Sequence, residues 1–322
     1  MLPQRWARNR GGAARSILWA MTRLTVSAFL ALAFSAGVFG QQRPPIVGVA
    51  HIALKTGDIA AARAYYGKYL GFEEAFQITN PDGTLEVTYF KVNDHQYIEI
   101  FPGLKGDEDR LAHVAFETTN AEQLRAYLAS RHVTVPAAVR TLPDGNLSFV
   151  IRDPDGHAVE FVQYVPDGPL GKTFGKFMPA SRISDHIAHV GFLVDDQAAA
   201  NRLFRDVLGF HEFWHGGMTD DGPTQWVAMR VPDGRDHLEY MLHYDNPTVR
   251  VRGIMNHVCL LVPSVAESYK TLLGRDRKID DPPKIGRDGK WQLNLYDPNL
   301  TRSELMEPKP VEKPCCSPML DN

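Results

Sequence analysis

The chain repeats itself, and this repeat constrains its fold more than any other feature. AHIALKTGDIAAARAYYGKYLGFEEAF (residues 50–76) returns as AHVGFLVDDQAAANRLFRDVLGFHEFW (188–214) at an offset of 138. AHVAFETTNAEQLRAYLASR (112–131) returns as NHVCLLVPSVAESYKTLLGR (256–275) at an offset of 144. Four modules therefore follow one another in the order A, B, A, B. A Gly-, Pro- and Lys-rich stretch, VPDGPLGKTFGKFMPASR (165–182), divides the two halves. Its Gly-Lys-Thr does not make a phosphate loop, because Pro166 stands where the upstream glycine must be.

Each module reads as a strand, a helix and then two or three strands. His51-Ile52-Ala53-Leu54 opens the first with strand alternation. Ser264 and Glu267 form a capping box ahead of Tyr269, Leu272 and Leu273. Asn120 caps a second helix, with Leu124, Tyr127 and Leu128 on one face. Asp-Gly turns at 82–83, 144–145, 221–222 and 288–289 join the later strands.

Within this frame every module carries a histidine on its first strand and an acid on its last. The pairs are His51 with Glu99, His113 with Glu160, His189 with Glu239 and His257 with Glu304, separated by 48, 47, 50 and 47 residues. Two modules together supply two imidazoles and two carboxylates. That set suits a divalent ion that accepts nitrogen and oxygen, such as Zn, Ni, Co, Mn or Fe. Two carboxylates neutralise one such ion, and octahedral geometry leaves two adjacent positions for water or for two substrate oxygens. One or two ions per chain are expected. Spacing does not decide whether module one pairs with two and three with four, or one with four and two with three.

The acid-ended strand after RDPDGHAVEF (152–161) returns as YDPNLTRSEL (296–305), where Asn299-Leu300-Thr301 replaces Asp-Gly-His. Glu304 keeps the spacing, and Glu307 is a rival acid. HEFWH (211–215) matches a zinc-protease pattern, but that pattern works on a helix. Here it follows Leu-Gly-Phe and precedes Gly216-Gly217, so strand is expected and the two imidazoles stand about 13 Å apart. His95, His132, His157, His186, His237 and His243 are assigned to the surface or to a layer behind the site.

These features resemble the vicinal oxygen chelate superfamily, which includes glyoxalase I, methylmalonyl-CoA epimerase, extradiol dioxygenases and the bleomycin- and fosfomycin-resistance proteins. The resemblance spans about residues 46–308. It rests on the Ala-His strand starts, the Leu-Gly-Phe after the first helix and the DPDGHAVEF ending, all recurring in register. It implies an α+β fold of four tandem βαβββ modules, forming two domains, each an open eight-stranded cup around a metal. It implies ligands at His51, Glu99, His113 and Glu160, and at His189, Glu239, His257 and Glu304. It further implies that Glu160 and Glu304 serve as catalytic bases in glyoxalase-type lyase or isomerase chemistry on a carbonyl or vicinal oxygens. An extradiol dioxygenase using His189, His257 and Glu304 is the alternative, although Asn294 stands where those enzymes usually carry a tyrosine. A third alternative is a non-catalytic protein that sequesters a small ligand.

The expected organisation is a signal peptide over 1–40, domains over 46–166 and 185–308, a linker over 167–184 and a flexible tail over 309–322. Residues 1–40 carry five arginines and no acid, then the apolar run 24–40 with Val38 and Gly40 before Gln41. The run is shorter than the roughly 20 residues of a membrane span. A secreted or periplasmic protein is expected, with no stable span after cleavage. Removing those arginines leaves 30 basic residues against 38 acidic ones, a net charge of −8. An acidic body without a basic run argues against nucleic acid and for a small-molecule substrate. A homodimer is left open. Cys259 is expected in the core, and Cys315 and Cys316 are expected to be exposed in the tail.

Overall fold

The computed structural model describes residues 42–320, so the expected signal peptide lies outside the described residues. The alternating segments become strands in the expected order. The first half runs β1 (Ile46–Thr56), β2 (Glu73–Thr79), β3 (Leu85–Asn93), β4 (Gln96–Pro102), β5 (Leu111–Thr118), β6 (Arg140–Thr141), β7 (Leu147–Arg152) and β8 (Ala158–Gln163). The second runs β9 (His186–Val194), β10 (His211–Gly217), β11 (Thr224–Arg230), β12 (His237–Leu242), β13 (His257–Leu261), β14 (Lys284–Ile285), β15 (Trp291–Tyr296) and β16 (Arg302–Met306).

Among the described residues five α-helices connect them, α1 (Ile59–Arg63), α2 (Ala121–Ser130), α3 (Gln197–Asn201), α4 (Val249–Met255) and α5 (Val265–Gly274), with a short 3-10 turn at Gly171–Thr173. Asn120 and Ser264 cap α2 and α5 as their sequences indicate, accepting from Gln123 N and Glu267 N. Both α1 and α3 continue into a wider π-helical turn, with Leu70 N bonding five residues back to Tyr65 O at 3.0 Å. The glycine of Leu-Gly-Phe then turns the chain at φ +78° and +83° (Gly71 and Gly209), a conformation open to glycine.

Two eight-stranded sheets result, in the orders β2-β3-β4-β1-β5-β8-β7-β6 and β10-β11-β12-β9-β13-β16-β15-β14. The seams are the antiparallel pairs β1–β5 and β9–β13. Module one therefore joins module two, and three joins four, which settles the pairing that spacing left open. In each module the first and last strands lie side by side and parallel, as in β1–β4 and β5–β8. This adjacency brings each histidine-bearing strand next to an acid-bearing one.

One apolar core runs through both halves, from Ile52, Tyr66 and Phe116 to Val190, Phe204 and Phe210. Phe116 meets Phe210 edge-on at 5.1 Å. Buried polar bonds cross the same boundary. Tyr66 donates to Asp297 at 3.0 Å, and Asp236 accepts from Val49 N at 2.9 Å and Gln96 Nε2 at 3.1 Å. Gly48 makes room for Asp236, whose Oδ2 would lie 2.6 Å from a Cβ built there.

The tail is not a loose end: up to Leu320 it is strapped across the second half. Cys315 N donates to Arg287 O (2.8 Å), Trp214 Nε1 to Cys315 O (2.9 Å), His215 N to Ser317 Oγ (3.0 Å) and Leu320 N to Phe213 O (2.8 Å). It thus bridges edge strand β10 and the turn before β15. The linker behaves likewise in the first half, where Leu170 N donates to Asp144 O at 2.9 Å and Leu170 is buried beside Tyr89 and Tyr97. Proline- and lysine-rich composition signals the absence of helix or strand, but it leaves the backbone free to bond to a sheet edge. The sulfurs of Cys315 and Cys316 are joined as a disulfide, while Cys259 is a buried free thiol as expected.

Candidate metal centres

Strand register builds each site. On the seam His51 lies opposite Ala115 and Ala53 opposite His113, while Ala53 also neighbours Glu99 and Ala115 neighbours Glu160. The four side chains project from adjacent strands into one cup. His51 Nε2 and His113 Nε2 lie 2.9 Å apart. Glu160 Oε2 is 3.1 and 2.9 Å from them, and the Glu99 carboxylate is 3.5 and 3.6 Å away.

The second half reproduces this arrangement. His189 Nε2 and His257 Nε2 are 3.0 Å apart. Glu239 Oε2 is 3.8 and 3.3 Å from them, and Glu304 Oε2 is 3.8 and 3.7 Å from them. All eight residues singled out from the sequence are thus brought together, four to a cup. His51, Glu99 and His113 each present one donor within 4.8 Å of the others, as do His189, His257 and Glu304.

The donor chemistry fits a divalent ion. His257 Nδ1 donates to the Met255 carbonyl at 2.7 Å, which leaves the Nε2 lone pair facing the cup. The backbone makes space for this ring: a Cβ on Gly191 would lie 2.1 Å from His257 Cε1. Burial drives the His51, His189 and His257 pKa values below the ordinary imidazole range, so these rings stay neutral and available as ligands.

The acids differ between cups. Burial pulls Glu160 upward, but hydrogen bonds from His113 and His51 outweigh it and hold the carboxyl well below its usual range. Burial, with Glu160 and Asp144 nearby, pushes Glu99 well above it. Burial pushes Glu304 up to about 7; Arg302 opposes this, and Glu239 adds to it. Ser148 also donates to the second oxygen of Glu160.

The rival and decoy residues fall outside. Glu307 accepts from Val265 N at 2.9 Å and so caps α5. HEFWH forms strand β10, and His215 pairs with Glu212 at 2.7 Å. His237, assigned to a layer behind the site, is buried with its ring centroid 4.4 Å from that of His189.

Each cup opens into a cavity. That of the first half, 400 Å³, is walled by Tyr89, Phe101 and Phe149 around Glu99, His113 and Glu160. That of the second, 410 Å³, is walled by Phe213, Trp214, Trp226, Met241 and Met319 around His189, Glu239 and Glu304. Arg302 and Lys290 also line the second cavity. Sequence reading missed both because neither is repeated in the first half. A third grouping of ligand-type residues, Asp220 with Cys315 and Cys316, lies at the tail, where the two sulfurs are bonded to each other.

Comparison with known proteins agrees with this architecture. The profile of the Glyoxalase/Bleomycin resistance protein/Dioxygenase superfamily matches residues 48–161 and again 186–299. Among curated proteins, YwbC of Bacillus subtilis (strain 168) is 29% identical over 125 residues, which cover 35% of this chain and 94% of that one. Among solved structures, the Mn(II)-bound glyoxalase from Novosphingobium aromaticivorans superposes with a TM-score of 0.63 at 19% identity, covering 82% of this chain and 83% of its own. The 2,3-dioxygenase LapB from Pseudomonas sp. KL28 gives 0.61 at 17% identity, covering 85% and 98%. An extradiol ring-cleaving dioxygenase from B. fuscum gives 0.62 at 17%, covering 87% and 75%. At these identities the structures bear on the fold alone.

Proposed function

Because the chain belongs to the Glyoxalase/Bleomycin resistance protein/Dioxygenase superfamily, we propose that it is a divalent-metal-dependent enzyme for a small substrate bearing a carbonyl or vicinal oxygens. The reaction is of the glyoxalase or isomerase type. One observation carries this reading: two imidazoles and two carboxylates converge in each cup. His51, Glu99, His113 and Glu160 would hold one ion, and His189, Glu239, His257 and Glu304 a second. A bound ion supplies Lewis acidity, which acidifies the C–H next to a carbonyl.

The chain's own residues do the rest. A carboxyl poised near neutral pH is suited to taking and returning a proton. Glu304, at about 7, meets that condition. Glu160 is held low by two histidines and is the weaker base. The aromatic and methionine walls exclude water and orient the substrate. We place the protein outside the cytoplasm on the strength of residues 1–40, which makes a glutathione adduct a poor substrate.

A second reading, extradiol ring cleavage, draws on His189, His257 and Glu304 lying within 4.8 Å of one another. The test is elemental analysis of protein purified without chelators, alone and as Glu160→Gln and Glu304→Gln. Two ions per chain, with one lost in each variant, are expected. Protein that comes out empty sinks both enzymatic readings and leaves small-ligand sequestration. Turnover of a hemithioacetal or α-hydroxycarbonyl with Ni, Co or Zn supports the first reading. Catechol cleavage with Fe(II) and oxygen supports the second.

A further inference from the structure

The two cups hold matched ligand acids but not the same cations. Glu99 and Glu160 in the first match Glu239 and Glu304 in the second, and Asp144, buried close to His51 and Glu99, matches Asp288 on the wall of the second cavity. At the module offset of 144, Lys290 stands where the first half has Asn146, and Arg302 where it has Ala158. Asn146 hydrogen-bonds Asp144 at 2.8 Å, whereas Lys290 ion-pairs with Asp288 at 3.4 Å. Lys284 of the second cavity matches Arg140 of the first, and Arg287 is already paired with Asp220; Lys290 and Arg302 are the two further positive charges that the second cup carries.

Arg302 is the less satisfied of the two. It lies two residues before Glu304 on β16, so strand alternation turns both into the same cavity. Its Nε and Nη2 are buried and have no hydrogen-bond partner. Across the strand pair β15–β16, Asn294 Oδ1 is also buried and unpartnered. Buried donors without acceptors are costly, and a guanidinium fork matches a planar oxyanion. The opposite wall, of Phe213, Trp214 and Trp226, suits a flat apolar body.

We propose that the second cup, unlike the first, takes an anionic substrate: a flat apolar body whose carboxylate is held by Arg302, with Lys290 supporting. The oxygens at the other end of that substrate would face His189 and His257, and this part rests on the metal-dependent reading given above. The two halves then serve different ligands, and Arg302 sets the difference.

Two titrations of the full-length chain separate this proposal from the reading beneath it. In metal-loaded protein with His51→Ala and His113→Ala, so that only the second cup is loaded, calorimetry compares 4-carboxybenzohydroxamate with benzohydroxamate. In metal-free protein, quenching of tryptophan emission compares benzoate with benzamide. The acid is expected to bind tighter than its neutral partner by on the order of tenfold, the worth of one charge-assisted hydrogen bond. Arg302→Ala should abolish that gain and leave the neutral partner's affinity unchanged, while Arg302→Lys should keep part of it. Equal affinities within the pairs, or a preference that survives Arg302→Ala, overturns the proposal. If benzohydroxamate itself fails to bind, the metal reading falls, and the benzoate arm still decides the anion pocket.

Discussion

Glu160 and Glu304 occupy matched positions yet hold their protons differently. Hydrogen bonds from two imidazoles pull Glu160 down, whereas Glu304 has no hydrogen bond of that kind and burial leaves it near 7. Glu99 is pushed well above the usual carboxyl range, first by burial and then by Glu160. An ion must displace these protons, while the neutral imidazoles have none to lose. Metal uptake is therefore expected to release protons, about half of one from Glu304 at pH 7, with Glu99, whose carboxyl is pushed upward, adding to the release. Affinity at the second cup should fall as pH drops through 7, because Glu304 then holds its proton. Calorimetry in two buffers of different ionisation enthalpy measures the release, and uptake without proton release at pH 7 would refute this account. The eight converging donors were legible in the sequence because four copies of one weak signal, in register, reinforce one another. Lys290 and Arg302 were not, since the first half has Asn146 and Ala158 in their places. A residue that marks a difference between repeats cannot be found by looking for what they share.

Among the elements, capped helices and Asp-Gly turns were readable because their signals are local. Module pairing was not, because the seams β1–β5 and β9–β13 join residues that only the folded sheet brings together. The straps were missed for a different reason. Their bonds come mainly from backbone groups, which side-chain patterns do not report. The tail holds the open side of the second cup through Trp214, His215 and Arg287, and Met319 packs against Phe213 and Trp214. Ending the chain at Pro308 should expose that wall. We expect tryptophan emission to shift to the red and stability to fall by about 1–3 kcal/mol, the worth of a few partly buried hydrogen bonds and one apolar side chain. Denaturant titration followed by emission measures both. Unchanged emission and midpoint would mean that the strap is not seated in solution.

At the scale of the whole molecule, the boundary between the halves is crossed by core and by buried polar bonds alike. The division into 46–166 and 185–308 describes two sheets, but it does not describe two independent cores, since one apolar cluster runs through both. Asp236 concentrates the polar part of this coupling. Its carboxylate accepts from Val49 N and Gln96 Nε2 of the first half and lies 2.6 Å from His186 Nε2 of the second. Asp236→Ala would leave the buried Val49 N without an acceptor and take the carboxylate partner from His186 Nε2, at a cost of about 3 kcal/mol. Beyond residue 40 every tryptophan (Trp214, Trp226 and Trp291) lies in the second half, so emission reports on that half, whereas far-ultraviolet circular dichroism reports on both. In the unaltered chain the two signals should unfold together, as one cooperative unit does. In Asp236→Ala the midpoints should fall and separate. Separate transitions in the unaltered chain would mean that the shared core does not bind the cups into one folding unit, and that each cup answers to its own ligand alone.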